Sequence, residues 1–248
     1  KWDGIRAQLI RRGDQVILWS RGEELVGETF PEVAAAARHL PAGTVLDGEL
    51  LAWDAPADAP APFSLLQTRI GRKTPSLQLM QQAPVVFTVY DIFEYKGQDI
   101  RGLPLEERRE RLAGVLEAPG FDARVSPAAA QADSAGRAQL DLFDEPEGRA
   151  ELLRLRLSPL IEADSWQALA RLRDQAREHR AEGLMLKRLG SPYRVGRVKG
   201  DWWKWKVDPL TLDAVLVYAE AGPGRRAGLF TDYPFALREG EELVPFAK

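Results

Sequence analysis

The sequence predicts an α+β protein with antiparallel strands, flanking helices and a strand-rich tail. Three observations carry this reading. Alternating residues around Arg12-Gly13-Asp14 make a hairpin at the start, and apolar runs of strand length follow at 45–52, 85–93 and 182–188. Helical patterns lie between those runs at 31–39, 104–116 and 165–179. From about Leu210 only short alternating segments with tight turns remain.

Residues 5 to 21 form the hairpin and end in Ser20-Arg21. Pro31 opens a helix through Ala34-Ala35-Ala36-Ala37 to His39, with proline where a first turn tolerates it. Val45–Ala52 reads as a buried strand whose only charges are Asp47 and Glu49. Strand side chains alternate, so these two acids share a face and call for a metal, a cation or a sugar hydroxyl. Asp54 to Pro62 is a loop, and a helix from about Phe63 carries Arg69, Arg72 and Lys73 near its end. Val85–Phe93 is a second apolar strand containing Tyr90 and Asp91, with a turn at Lys96-Gly97. A charged helix spans Pro104 to about Leu116. Residues 117–149, rich in Ala, Gly, Pro and acids, read as a flexible insertion. A strand is expected over Leu155–Ile161, a helix over Ser165–His179 and a strand over Glu182–Arg188. In the tail, strands are expected at Asp213–Tyr218, Ala227–Phe230 and Leu243–Phe246, as at the opening of a small barrel.

Composition narrows the chemistry. With 45% hydrophobic and 29% charged residues, 248 positions are enough for a real core. No apolar run approaches a membrane span and no signal peptide is seen, so no membrane partner is expected. The absence of cysteine rules out disulfides and thiolate metal sites and fits a reducing cytoplasm. Only His39 and His179 are present, in a helical alanine run and a charged helix, which argues against a histidine zinc site. The net charge of −3 hides a cationic strip. Between Lys187 and Lys206 lie Arg188, Arg194, Arg197, Lys199 and Lys204, against the single acid Asp201. Interleaved Tyr193, Trp202, Trp203 and Trp205 suit a phosphate or nucleic-acid groove better than a solvated loop.

Lys1-Trp2-Asp3-Gly4-Ile5-Arg6 is the stretch with most chemistry in it. A lysine amine attacks phosphorus only when unprotonated, and a free lysine titrates at about 10.4. An attacking lysine therefore needs a cleft and neighbouring cations. Glu182-Gly183-Leu184-Met185-Leu186-Lys187 and Trp203-Lys204-Trp205-Lys206 offer a metal-binding carboxylate and phosphate-binding cations.

Taken in order, these segments with Ser20-Arg21, Asp47-Gly48-Glu49 and Tyr90-Asp91 resemble the ATP-dependent DNA ligases. Those enzymes share the covalent nucleotidyltransferase superfamily with RNA ligases and capping enzymes. The resemblance implies a nucleotidyltransferase (ATP-grasp-like) domain over 1–208 and a truncated OB-fold barrel over 209–248. It implies ATP as AMP donor, Mg²⁺ as cofactor and nicked double-stranded DNA as partner, in the bacterial nucleoid. Lys1 would carry AMP, and Lys204 and Lys206 would contact the α-phosphate. Glu182 would hold the metal, with Glu49 on the ribose or the metal. Tyr90 would stack on adenine, although a tyrosine in an apolar strand, taken alone, is more often core than a base platform. Arg6 would hold the ribose–phosphate part, with Lys187 also at the nucleotide. Asp3 would support the metal or orient Lys1. Arg21 would take the nick phosphate, and Arg194, Arg197 and Lys199 would follow the DNA. The tryptophans of 202–205 read as packing against the barrel. Gln139-Leu140-Asp141-Leu142-Phe143 resembles the short peptide by which bacterial proteins bind the sliding clamp, through Gln139, Leu140, Leu142 and Phe143. The sequence also reads as a fragment, because the family's carboxylate two residues before the lysine and its basic C-terminal motif fall outside it. Competing readings are an RNA ligase, a capping-type nucleotidyltransferase, or a nick- or clamp-binding module without chemistry.

Overall fold

The computed structural model describes residues 1–118, 121, 124–125, 152–196 and 198–247. Two compact units emerge, Lys1–Val207 and Asp208–Lys248. The first is mixed α/β. Strand β1 (Ile5–Arg12) turns at Gly13, in the left-handed region, into β2 (Gln15–Ser20). Helix α1 (Pro31–Ala36) tightens into a 3-10 turn through His39. Strand β3 (Thr44–Asp54) follows, then the short β4 (Ala59–Pro60). Helices α2 (Phe63–Gln67) and α3 (Leu77–Gln82) lead to β5 (Val85–Tyr95), β6 (Gln98–Asp99) and α4 (Leu105–Leu116). Beyond it come β7 (Arg124–Val125), β8 (Leu152–Leu153), β9 (Leu155–Leu157) and α5 (Trp166–Asp174). The unit closes with β10 (Gly183–Lys187) and β11 (Trp202–Lys206).

Strands β2-β1-β3-β5-β6 form the path of a seven-stranded sheet, with β4 paired to β3 and β9 to β5. All these pairs are antiparallel except β5–β9. One face of the sheet makes the main core: Leu46, Leu50 and Ala52 of β3 meet Leu9, Leu18, Phe30, Phe87 and Leu112. Each such fully buried aliphatic or aromatic side chain contributes about 1.5–3 kcal/mol. The intervening residues of β3 take the opposite face. There Leu51 and Trp53 join Val86 and Trp2 in a second, smaller cluster. Asp47 and Glu49 lie on that same side.

Several expected elements are shorter in the structure. The helix from Phe63 stops at Gln67, so Arg69, Arg72 and Lys73 follow it in turns. Arg69 is drawn fully inside to Glu32, a pairing local pattern does not reveal. The strand expected to Ile161 ends at Leu157, because Pro159 has no N–H for the ladder. The helix expected to His179 ends at Asp174. Its continuation closes in four-residue turns, and Arg180 takes a positive φ of 54°. Helix α3 was not expected; its signal is Ser76, whose hydroxyl accepts from the Leu79 N–H. The expected insertion at 117–149 lies almost wholly outside the described residues.

In the second unit β12 (Val215–Leu216), β15 (Phe235–Glu239) and β16 (Glu242–Ala247) form one sheet. A separate pair joins β13 (Glu220–Ala221) to β14 (Phe230–Asp232). The strand expected at Asp213–Tyr218 is only Val215–Leu216, and Ala227 follows a 3-10 turn at Gly224–Arg226 instead of opening a strand. That turn tightens the chain before Phe230 and delays pairing. No helix among the described residues is long and apolar enough to cross a membrane.

Candidate active site

Lys1 is held by the edge of β10. Its backbone nitrogen donates to the Gly183 carbonyl (2.6 Å), and its carbonyl accepts from the Glu182 N–H (2.8 Å). Trp2 bridges to Ala181, and its indole N–H reaches the Ser158 hydroxyl (3.1 Å). Two glycines permit this close approach. A Cβ on Gly4 would lie 2.3 Å from the Leu50 carbonyl oxygen and 2.9 Å from Glu49 Cγ. Gly183 has φ +133°, and a Cβ there would meet the Trp205 carbonyl oxygen at 2.3 Å.

The Lys1 ammonium is paired to Glu182 Oε2, and the same oxygen takes Lys206 Nζ at 3.0 Å. The Lys1 side chain is only 21% exposed, so it lies in a cleft. An attacking lysine needs cationic neighbours, and the structure adds a carboxylate between Lys1 and Lys206. Burial alone would raise the Glu182 carboxyl, but hydrogen bonds from Lys1 and Lys206 carry it below the ordinary range. Across the cleft, burial pushes Glu49 up to about 7, against the pull of Lys1 and Arg6.

Strand register assembles the rest. Met185 faces Lys204, Gly183 faces Lys206 and Lys187 faces Trp202, so Lys187, Lys204 and Lys206 share one side of the β10–β11 ribbon. Lys187 Nζ stands 4.9 Å from the Tyr90 ring centre and 4.2 Å from that of Trp202. Burial lowers it to about 8, with Asp91 and Asp47 opposing the shift. Tyr90 is half-buried, and desolvation keeps its hydroxyl protonated well above the usual range. The next residue, Asp91, is fully buried and takes Arg108 Nε (2.8 Å) and Nη2 (2.9 Å). Arg108 also donates to the Ser191 carbonyl, so one guanidinium ties β5, α4 and the loop after β10.

Arg6 sits beside Asp47, donating from Nε (3.1 Å) and Nη2 (2.7 Å). Burial lifts the Asp47 carboxyl, and Arg6 partly offsets that. Asp3 and Arg21 are exposed, and Arg21 accompanies Arg6 through its backbone N–H to the Arg6 carbonyl (3.0 Å). Lys199 is exposed. Arg194 is tied to Asp201 (3.1 Å), which also takes Arg188 (2.8 Å). Arg197 and Gln139, Leu140, Leu142 and Phe143 lie outside the described residues. Trp205 packs on Trp166 (6.1 Å) and under Arg173 of α5, and Trp202 packs on Tyr193 (5.5 Å). These partners belong to the first unit, so Trp202 and Trp205 pack within that unit instead of against a barrel, and Trp203 is half-exposed.

A metal would find two carboxylates here, Glu49 and Glu182. No group of three or more His, Cys, Asp or Glu able to hold an ion exists among the described residues. Hard oxygen donors in that small number fit Mg²⁺, which fills its shell with substrate phosphates and water. Tyr193 stands out in the sequence only as one aromatic of the cationic strip, and Arg108 gives no signal there. The near-absence of acids around Tyr193 was visible, but its partner Arg6 was not.

A family model described as the ATP dependent DNA ligase domain matches residues 1–206. The chain belongs to this ligase domain family. It is 38% identical over 248 residues to a probable DNA ligase of Koribacter versatilis, covering 100% of this chain and 41% of that protein. It is 36% identical over 243 residues to a probable DNA ligase of Opitutus terrae, covering 97% of this chain and 23% of that one. The chain thus spans less than half the length of these curated relatives. Among solved structures, mycobacterial DNA ligase D complexed with ATP and MES superposes with a TM-score of 0.58 at 23% identity. That match covers 99% of this chain and 63% of the other, and shows the fold.

Glu49 gives this ligase domain a pH signature. Its carboxyl is raised from 4.5 to about 7 by burial, so between those values the folded state keeps a proton that the unfolded state releases. Stability from this group therefore falls as pH rises through the window, and at pH 8 a charge is forced on a buried position. Without divalent metal, Glu49→Gln should melt higher than wild type at pH 8, with the gap closing at pH 5. Equal melting at pH 8, or the same gap at both values, would contradict this.

Proposed function

We propose that this chain is the adenylation core of an ATP-dependent DNA ligase that joins nicks through a lysyl-AMP intermediate. The observation that carries the reading is the Glu182 carboxylate shared by Lys1 and Lys206. It brings a nucleophile, a metal-binding carboxylate and an anion clamp to one point. Lys1 loses its proton to solvent, and its free Nζ forms a bond to the α-phosphorus of ATP. The bond from that phosphorus to the bridging oxygen breaks, and pyrophosphate leaves with the electron pair. AMP then passes to the 5′-phosphate of a nick, and the 3′-hydroxyl displaces AMP to seal the strand. Charge on phosphate oxygens is the obstacle in every step, so positioned cations do most of the catalysis.

Lys204 and Lys206 would bind the α-phosphate, and Glu49 and Glu182 would hold Mg²⁺, which neutralises phosphate charge when bound. Tyr90 would carry the base, with Lys187 against its ring. Arg6 would hold the ribose–phosphate part, and Asp3 would orient Lys1. Arg21, Arg194, Arg197 and Lys199 would follow the DNA backbone. Asp208–Lys248 would be the opening of an OB-fold barrel; its short antiparallel strands and half-exposed Phe235, Leu237 and Phe246 support that. The nucleoid is the expected location. With Mg²⁺ and ATP labelled on the α-phosphorus, the full-length protein should acquire a denaturation-resistant AMP label, and none from GTP. Label from GTP would indicate capping chemistry, and label from neither would remove the reading.

Gln139-Phe143 is proposed to dock on the bacterial sliding clamp, its Leu140, Leu142 and Phe143 filling an apolar pocket. Tethering to a ring on DNA would raise the local concentration of the ligase at nicks. Leu142→Ala with Phe143→Ala should abolish clamp pull-down and leave AMP labelling intact. Undiminished pull-down of the double variant would end this idea.

A further inference from the structure

We propose that Tyr193 is the positioning residue for Arg6. Its hydroxyl accepts from Arg6 Nη2 at 3.0 Å, while Asp47 takes Arg6 Nε and the other Nη2 hydrogen. A guanidinium has five N–H donors in a rigid fork. Three are thereby committed to protein. The two on Nη1 carry no hydrogen bond among the described residues, and the Arg6 side chain is 40% exposed. The guanidinium is therefore clamped from two sides, with one edge presented outward. This inference rests on the reading that Arg6 binds the ribose–phosphate part of ATP.

Tyr193 can act as an anchor because it is itself held. Its ring lies 4.2 Å from Phe93 and 5.5 Å from Trp202, and its backbone N–H donates to the Arg101 carbonyl (2.8 Å). Asp47 supplies charge from β3, and Tyr193 supplies a second fixed point from the loop between β10 and β11. Two fixed points hold the plane of the guanidinium where one carboxylate leaves it free to hinge. Such support around a binding group decides whether its geometry is productive.

The test is Tyr193→Phe in the full-length protein, which removes the hydroxyl and keeps the ring. In lysyl-AMP formation the KM for ATP should rise roughly three- to tenfold, the range expected for losing one ordinary net hydrogen bond while Asp47 still holds the guanidinium. The kcat should stay within about twofold, since binding and not the transition state is loosened. In an Arg6→Ala background the same change should add nothing, because Tyr193 acts through Arg6. A merely structural tyrosine would alter both backgrounds alike. An unchanged KM, or an equal rise without Arg6, overturns the proposal. The nucleotide-free protein gives an arm that does not depend on ATP. The Arg6 Nε–H resonance should shift and broaden in Tyr193→Phe, and an unchanged resonance also overturns it. If wild type forms no AMP adduct, the functional reading fails while this resonance still decides the positioning.

Discussion

Lys1→Ala in the full-length protein is expected to abolish the covalent AMP label from ATP. Lys1 Nζ is the amine paired with Glu182 inside the cleft, and its backbone is pinned by hydrogen bonds to Glu182 and to Gly183 at the start of β10. Lys206 shares that carboxylate but approaches from β11, on the side where Lys204 also lies. In the proposed reading the remaining lysines would serve as cations around the phosphate and would not replace the nucleophile. A nick adenylated beforehand bypasses the lost bond, so the variant should still seal it slowly with its intact cation set. Retention of the label at wild-type level would transfer the nucleophile elsewhere and sink the assignment.

Arg69→Met is expected to give the largest loss of stability. Arg69 and Glu32 are both fully buried, joined by two hydrogen bonds of 2.9 and 3.1 Å. Arg69 also satisfies the Ala83 carbonyl (2.9 Å) and the Thr29 carbonyl (2.7 Å). Removing it leaves a buried carboxylate and two carbonyls without their donor. Breaking one side of such a pair costs about 3–5 kcal/mol. For a unit of this size that lowers the melting midpoint by on the order of 10 °C. Adding Glu32→Gln should recover part of the loss, because the stranded charge is the main penalty. A midpoint within about 2 °C of wild type would show that Glu32 finds another partner.

What the sequence determined by itself was local or ordered along the chain. Asp47 and Glu49 share a face because strand alternation is a property of the backbone, and the structure has them opposite the main core. The order of Lys1, Glu49, Tyr90, Glu182 and Lys204-Trp205-Lys206 pointed to the ligase family before any contact was known, and the family match over 1–206 agrees. The tertiary structure alone decided which charges meet. Lys1 and Glu182 join because Lys1 and Trp2 pair with the backbone of Ala181, Glu182 and Gly183 at the start of β10, Arg6 meets Tyr193, and Arg69 turns inward to Glu32. Each of these pairs spans a long stretch of chain, so no local period encodes it. The neighbourhood of Arg69 in sequence is that of an exposed helix end, and its burial depends on a carboxylate supplied by α1. Helix ends and edge strands shifted for the same reason: proline, a positive φ or a tight turn stops an element where packing offers no further partner.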